Sequence, residues 1–88
     1  MKFGFVFSSY ALKQLKALPV SDQTRIKKKL TYWSQLPNPL QFAKALIHFE
    51  PATHRFRIGD YRVICRAEKN ELVILVLKIG HRKDVYQK

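Results

Sequence analysis

The turn signal Gly59-Asp60 constrains the fold of this 88-residue chain more than any other feature of its sequence. The residues on both sides alternate with the period of a β-strand, and glycine supplies the positive φ that a two-residue hairpin loop requires. With these two residues as the loop, Arg57 faces Arg62 across the hairpin. The sequence therefore predicts an antiparallel hairpin over residues 55–66, with a register set by its turn.

The two faces of this hairpin differ in chemistry. One face is apolar, as is typical of the core side of a half-buried sheet, and carries Phe56, Ile58, Tyr61, Val63 and Cys65. The other, the basic face, carries Ile64 and four arginines, Arg55, Arg57, Arg62 and Arg66. Like charges directly across a strand pair are destabilising, and we find no local acid to relieve them. Because arginine is a bidentate phosphate ligand, we interpret the basic face as a phosphate-binding surface, with a solvated face as the alternative.

The remaining periodicity predicts the element order β-α-α-β-β-β. A strand at residues 2–8 precedes a helix that begins at Ser8 or Ser9 and stops at Pro19, and a second helix opens at Ser21. Residues 38–52 predict a short helix followed by a loop, and the apolar run at 72–77 predicts a central strand covered on both sides. We therefore expect one α+β domain over residues 1–88, with a two-helix hairpin packed on one face of a small, mainly antiparallel sheet.

The charge of the chain indicates an anionic partner. Seventeen Lys and Arg residues stand against six Asp and Glu residues, for a formal net charge of +11. Such a partner is usually nucleic acid and less often a membrane surface or an acidic protein, and charge by itself does not choose among them.

The lone cysteine and the short apolar runs indicate a cytoplasmic protein that does not enter a membrane. Cys65 has no second cysteine with which to form an internal disulfide or a metal cluster. The apolar run at residues 3–7 is too short for a signal peptide, and no run reaches membrane-spanning length.

Metal-free RNA cleavage is the reaction that these residues could perform. No motif gathers carboxylates, and His48 and His54 have no partner at metal-like spacing, so we expect no metal. In such a reaction the ribose 2′-OH attacks the neighbouring phosphate, and arginines stabilise the charge of the transition state. Proton transfer needs a different side chain, because arginine stays protonated.

The segment at residues 80–86 supplies the candidates for proton transfer. His81 carries an imidazole, and Tyr86 could serve if nearby guanidinium groups lowered the pKa of its phenol. The alternative is that both residues only cap and pack the last strand, and their spacing leaves both interpretations open. Lys83 in this segment and Lys44 in the preceding half of the chain are further candidates for binding RNA phosphates.

Three runs resemble the signature of RelE-type toxins in the RelE/ParE superfamily of bacterial toxin-antitoxin systems. They are RFRIGDYRVI at residues 55–64, LVILVL at 72–77 and GHRKDVY at 80–86. The resemblance implies a sheet like that of microbial ribonucleases, no cofactor, and cleavage of messenger RNA in the ribosomal A site. It also implies a cognate antitoxin that wraps the toxin and neutralises its basic surface.

Position by position, the resemblance implies that Arg62 and Arg82 are transition-state arginines and that Tyr86 is the catalytic tyrosine. Arg55 and Arg57 stand where the best-studied type of member has lysines. That departure removes the candidate for a lysine base, which leaves proton transfer to the histidine and the tyrosine of the last segment.

Members of the superfamily do not share one activity. ParE-type members are similar in fold but poison DNA gyrase by binding to it, so the fold alone does not settle function. The joint presence of Arg62, Arg82 and Tyr86 favours the ribonuclease. A gyrase inhibitor and a non-catalytic RNA-binding module are the alternatives.

Overall fold

The computed structural model describes residues 3–85, and within them a five-stranded sheet is covered on one face by two helices. The elements in chain order are β1 (Gly4–Phe7), α1 (Ser9–Lys16), α2 (Val20–Ser34), β2 (Lys44–Ala45), β3 (His54–Ile58), β4 (Tyr61–Glu68) and β5 (Val73–His81). The strands lie in the order β1-β5-β4-β3-β2, and every neighbouring pair is antiparallel except β1 with β5. The predicted α+β fold is confirmed, with β2 as an additional strand.

Short polar signals set the ends of the two helices. Ser8 caps α1, because its hydroxyl accepts the backbone N–H of Ala11 at 3.0 Å. The same hydroxyl donates to the carbonyl of Leu77 at 3.2 Å, which ties the start of α1 to β5. Pro19 precedes α2, and Asp22 in its first turn complements the positive end of the helix dipole. The predicted starts of both helices are thus confirmed to within one residue, whereas α1 ends at Lys16, two residues before the stop predicted from Pro19.

The core lies between the helices and the apolar face of the sheet. Phe56 on β3 is fully buried at its centre. Its ring stacks on Trp33 of α2 at 4.7 Å between centroids and meets Phe5 of β1 edge to face at 5.6 Å. One aromatic side chain therefore joins a helix and two strands that are distant in sequence.

The predicted hairpin register is confirmed. Arg57 pairs with Arg62 across β3 and β4, and Gly59 adopts the positive φ of 58° that its turn requires. The segment at residues 38–52 forms a 3₁₀ turn over Pro39–Phe42, as a short helix was predicted there, and then the strand β2 in place of part of the predicted loop. Two residues of strand were too short a pattern to detect from sequence.

A β-bulge interrupts the pairing of β4 with β5. Cys65 pairs with Val76, whereas Ile64 pairs with Lys78, so Leu77 is the extra residue on β5. Because one inserted residue reverses the alternation, Lys78 lies on the basic face and Ile79 lies in the core. The bulge keeps a lysine out of the apolar core.

The chain after β5 turns back onto the basic face. The backbone N–H of Val85 donates to the carbonyl of His81 at 2.9 Å, and the Val85 side chain is buried with Ile64 and Ala52 in a second, smaller cluster. A Cβ added to Gly80 would lie 3.3 Å from the Cα of Val85, so glycine permits this close approach. The cluster covers the second side of the central strands, as predicted for residues 72–77.

Replacing Phe56 by alanine should destabilise the fold more than any exposed substitution. Loss of a fully buried aromatic ring and the cavity left behind should lower the free energy of unfolding by about 3–5 kcal/mol, measured by chemical denaturation. Val20→Ala is the matched control, since Val20 is 76% exposed and its loss should change the stability by about 0.5 kcal/mol or less. Equal effects of the two substitutions would contradict this account of the core.

Candidate functional site

Two of the predicted arginines meet at the turn between β3 and β4. The Arg62 guanidinium donates to the carbonyls of Gly59 at 3.2 Å and of Tyr61 at 3.1 Å, so the side chain folds back toward the turn. The backbone N–H of Arg82 donates to the carbonyl of Asp60 at 2.7 Å, and its Nε lies 4.0 Å from an Asp60 carboxylate oxygen. The structure therefore places Arg62 and Arg82 at the same end of the sheet.

A third cation reaches the turn from the helix layer. The Arg25 guanidinium on α2 lies over Gly59, where an added Cβ would be 2.8 Å from Nη2. Asp22 holds this side chain through an ion pair of 3.5 Å and also accepts the Tyr61 hydroxyl at 3.0 Å. Arg25 and Asp22 were not predicted to take part in this site, because Asp22 and Tyr61 are 39 positions apart and no local pattern connects them.

The hydrogen bond to Asp22 changes the chemistry of Tyr61. It raises the pKa of the Tyr61 phenol, with smaller contributions from burial and from the negative charge of Asp22. The neutral phenol is therefore the stabilised form, and Tyr61 acts as a hydrogen-bond donor that fastens the hairpin to α2.

The structure places His81 on the helix side of the sheet and not on the face of Arg57 and Arg62. His81 pairs with Tyr61 across β4 and β5, and the two rings lie edge to face at 6.1 Å. The bulge at Leu77 is the cause, because uninterrupted alternation would have put His81 on the basic face. The sequence held a signal for the bulge, since Lys78 would otherwise lie in the core.

One ring nitrogen of His81, Nδ1, accepts a hydrogen bond from the backbone. The backbone N–H of Lys83 donates to its Nδ1 at 3.2 Å, so a neutral ring carries its proton on Nε2. Lys83 itself is exposed beside Arg82 in the segment that follows β5. The end of the sheet thus presents a donor nitrogen and several cations to solvent.

A second row of cations crosses the basic face. Lys44 pairs with Arg55, Arg55 pairs with Ile64, and Ile64 pairs with Lys78, which puts the three cations on one side of the sheet. Arg57 and Arg62 form the neighbouring row. The predicted convergence of Lys44 and Arg55 on this face is seen in the pairing, and β2 is the element that delivers Lys44.

Arg66 differs from the other arginines of the basic face. Its Nε forms an ion pair with Glu68, and its Nη1 donates to the carbonyl of Pro51 at 3.0 Å. The expectation that no local acid relieves the four arginines was therefore wrong for Arg66, because Glu68 follows on the same face of the strand. Arg57 and Arg62, which face each other across the hairpin, lie nearer the β3–β4 turn than Arg66 does.

A family model described as "ParE toxin of type II toxin-antitoxin system, parDE" matches residues 5–86. The chain belongs to this toxin family of the RelE/ParE superfamily. No curated protein sequence matches the toxin. The superfamily resemblance of the three sequence runs is confirmed.

Solved structures similar to the toxin come from RelE complexes. The RelBE2 toxin-antitoxin complex of Mycobacterium tuberculosis contains a chain with a TM-score of 0.81 and 23% identity, and the match covers 93% of the toxin and all of that chain. The archaeal RelE-RelB complex of Pyrococcus horikoshii OT3 gives a TM-score of 0.75 and 26% identity, and the match covers 97% of the toxin and 100% of that chain. The RelB-RelE complex of Methanococcus jannaschii gives a TM-score of 0.69 and 26% identity, and the match covers 93% of the toxin and 95% of that chain.

Two other titratable side chains of the toxin, Cys65 and His54, have structural roles. Cys65 is fully buried, and burial raises the pKa of its thiol, so it packs as an apolar side chain. Burial, with a smaller contribution from the charge of Lys69, lowers the pKa of His54 on β3.

Between residues 3 and 85 no three metal-ligating side chains come together, and no helix has the length and apolar character needed to cross a membrane. Tyr86 lies outside the described residues.

Asp22→Asn should lower the pKa of Tyr61 toward the usual value of about 10. The substitution weakens the hydrogen bond that favours the neutral phenol and removes a negative charge. In the toxin itself, the stabilisation from this contact is complete below pH ~10 and is lost as the pH rises through the higher pKa of the folded state. Titration of the Tyr61 Cζ resonance by NMR measures the effect. An unchanged Tyr61 pKa in the variant would contradict the assigned contact.

Proposed function

We propose that the toxin is a metal-free endoribonuclease that cleaves messenger RNA on the ribosome. One observation carries the proposal: Arg62 donates to the Gly59 carbonyl and Arg82 lies beside the Asp60 carboxylate at the same turn, with Arg57 directly across the hairpin from Arg62. Guanidinium groups gathered at one end of a sheet favour a phosphodiester as ligand. The contacts of Asp22 and Asp60 there leave an excess of positive charge.

In the proposed reaction the ribose 2′-oxygen forms a bond to the adjacent phosphorus while the bond from phosphorus to the 5′-oxygen breaks. The products are a 2′,3′-cyclic phosphate and a 5′-hydroxyl. Arg62 and Arg82 stabilise the dianionic transition state, because positioned donors are most effective where negative charge develops. Arg55, Arg57, Lys44 and Lys83 hold the phosphates on either side.

Proton transfer is assigned first to Tyr86 and second to His81. Tyr86 is proposed on the resemblance of the 80–86 run to the family signature, in which it matches the catalytic tyrosine. His81 lies on the helix side of the sheet, next to Tyr61, and its Nδ1 accepts a backbone N–H. To protonate the leaving 5′-oxygen from the rim of the sheet, His81 would have to be an imidazolium, which gives up the Lys83 contact at Nδ1 and returns to the neutral ring when Nε2 releases its proton; Tyr86 would then take the proton of the 2′-OH.

The proposed partners are a cognate antitoxin, the ribosome and its messenger RNA, in the cytoplasm. The matching family model describes toxins of type II toxin-antitoxin systems, and the solved relatives come from complexes with antitoxins. A toxin with a formal charge of +11 favours an acidic antitoxin segment over the same surface that would bind RNA.

DNA gyrase inhibition is the second candidate function. The family model that matches residues 5–86 is that of ParE toxins, which favours this activity. Such a toxin would act by binding a protein and would not need Arg62, Arg82 and Tyr86 to act together. A non-catalytic RNA-binding module is the third possibility.

Arg62→Ala and Arg82→Ala should each reduce cleavage in a translating extract by at least about 10²-fold, since each removes a cation from the transition state. Tyr86→Phe should also abolish cutting, through loss of the hydroxyl. Mapping of messenger 5′ ends by primer extension measures the cuts. Arg66→Ala is the matched control, because Arg66 lies on the same face but is paired with Glu68, and it should cut as the wild type does.

Three results would separate the candidate functions. Ribosome-dependent cuts that disappear in the two arginine variants support the nuclease. Inhibition of gyrase supercoiling without any cuts establishes the ParE activity instead. Salt-sensitive RNA binding without product indicates a binding module. Retained cutting in both arginine variants, with unchanged thermal unfolding, would remove the proposed site.

A further inference from the structure

An open groove runs along the outer surface of α2. It has a volume of about 720 Å³ and is lined by Ser21, Thr24, Arg25, Lys28, Lys29 and Tyr32. All of these residues belong to one helix, so the groove lies between side chains that project from α2. A site of this shape suits an elongated ligand that lies along the helix, whereas a small molecule is usually held in an enclosed cleft.

The cations and the tyrosine of this groove share one face of α2. They stand at positions i, i+3, i+4 and i+7, a spacing that brings side chains to the same side of a helix, and they are Arg25, Lys28, Lys29 and Tyr32. We call these four residues the α2 stripe. From Arg25 to Tyr32 the stripe extends about 10 Å along the helix axis. It therefore presents a row of cations that ends in an aromatic ring.

The α2 stripe carries more positive than negative charge. Its acidic neighbour is Asp22, which lies 3.5 Å from Arg25 and also accepts the Tyr61 hydroxyl. In the part of the chain that the structure describes, none of the residues lining the groove is acidic. The Lys29 ammonium lies 5.5 Å from the centre of the Trp33 ring, a cation–π contact that holds the ammonium in place without neutralising it. The charge of this face is therefore complementary to a polyanion.

Tyr32 favours single-stranded nucleic acid over other polyanions. The residue is 55% exposed at the end of the stripe. Single-stranded RNA is bound by grooves that combine cations for the backbone with aromatic rings for the bases, whereas an acidic protein segment needs only the cations. The bases of a double helix are stacked on one another and would not reach the Tyr32 ring. Ser21 and Thr24 add hydroxyls of the kind that contact phosphate.

The α2 stripe begins at the turn that carries the proposed cleavage site. The Arg25 guanidinium lies over Gly59, where an added Cβ would be 2.8 Å from Nη2. The Arg62 guanidinium and the backbone of Arg82 both donate to carbonyls of the same turn. Arg25 thus links the stripe to these two arginines, and an RNA strand bound at the turn can continue along α2.

We propose that the α2 stripe binds single-stranded RNA that flanks the scissile phosphate. Arg25, Lys28 and Lys29 bind phosphates of the strand, and the Tyr32 ring stacks on one of its bases. The inference rests on the proposed action on RNA and adds to it a binding track outside the cleavage site. An acidic segment of a protein partner is the competing occupant.

Fluorescence anisotropy with a labelled RNA of about ten nucleotides, within the range of single-strand sites, tests the cations of the track. The RNA carries 2′-O-methyl groups, which remove the attacking hydroxyl and keep the strand intact. Lys28→Gln/Lys29→Gln should weaken binding about three- to thirtyfold. It should also reduce the magnitude of the slope of log K against log salt by about 1.4, for two lost phosphate contacts. Lys28→Gln alone, which keeps the contact of Lys29 with Trp33, should reduce it by about 0.7.

Lys13→Gln/Lys16→Gln is the matched control for charge. Both lysines are exposed on α1 and do not line the groove, and the double substitution removes the same net charge. It should leave the slope unchanged, because the slope reports the number of phosphate contacts.

Tyr32→Ala tests the stacked base. It should weaken binding of the same RNA about five- to hundredfold, and Tyr32→Phe should bind as the wild type does, because the ring is kept. Tyr10→Ala is the matched control, since Tyr10 is 59% exposed on α1, and it should have no effect. An oligoglutamate peptide of similar length, which offers charge without bases, should bind the wild type and Tyr32→Ala equally.

Equal salt slopes for the two lysine pairs, or equal effects of Tyr32→Ala and Tyr10→Ala, would overturn the track. Peptide binding that depends on Lys28 and Lys29, with RNA binding that does not depend on Tyr32, would assign this face to an acidic protein instead. RNA binding that needs the stripe, together with gyrase inhibition and no cuts, would keep the track but refute the nuclease. Cuts that disappear in Arg62→Ala, with RNA binding unchanged in every stripe variant, would do the reverse.

Discussion

The backbone of the β3–β4 turn is the constraint on which the rest of the site depends. Its two carbonyls, from Gly59 and Asp60, accept hydrogen bonds from the Arg62 guanidinium and from the backbone of Arg82. The missing side chain of Gly59 leaves room for Arg25 from the helix layer. Three segments that are distant in sequence thus bring cations to one turn. Asp60 and Asp22 form ion pairs with Arg82 and Arg25, and the cations gathered at the turn still outnumber these two carboxylates.

The two faces of the sheet divide stability from binding. The helix side buries the large core around Phe56, and the basic face keeps only the small cluster of Ala52, Ile64 and Val85. Arg57 lies directly opposite Arg62, which costs stability because like charges repel across a strand pair. The large core offsets that cost. A surface that is electrostatically unfavourable alone becomes favourable when a polyanion covers it, so the charge of this face is consistent with an anionic partner.

Fold and activity are separate questions for this family. The overall architecture is that of the RelE structures, whereas the matching family model is that of ParE toxins. The same sheet and helices serve either activity, because activity depends on a few side chains placed on the scaffold. The proposal of an RNA substrate rests on the placement of Arg62 and Arg82 at one turn.

The sequence by itself determined the hairpin register, the two helices, the separation of arginines from apolar residues and the family. These features follow from turn chemistry and from periods of two or 3.6 residues, which depend on near neighbours. Only the tertiary structure decided that Arg25 and Asp22 reach the turn, that β2 delivers Lys44, and that a bulge moves His81 to the helix side. Those placements depend on how the whole core packs, because it is the need to bury Ile79 and exclude Lys78 that shifts the alternation of β5.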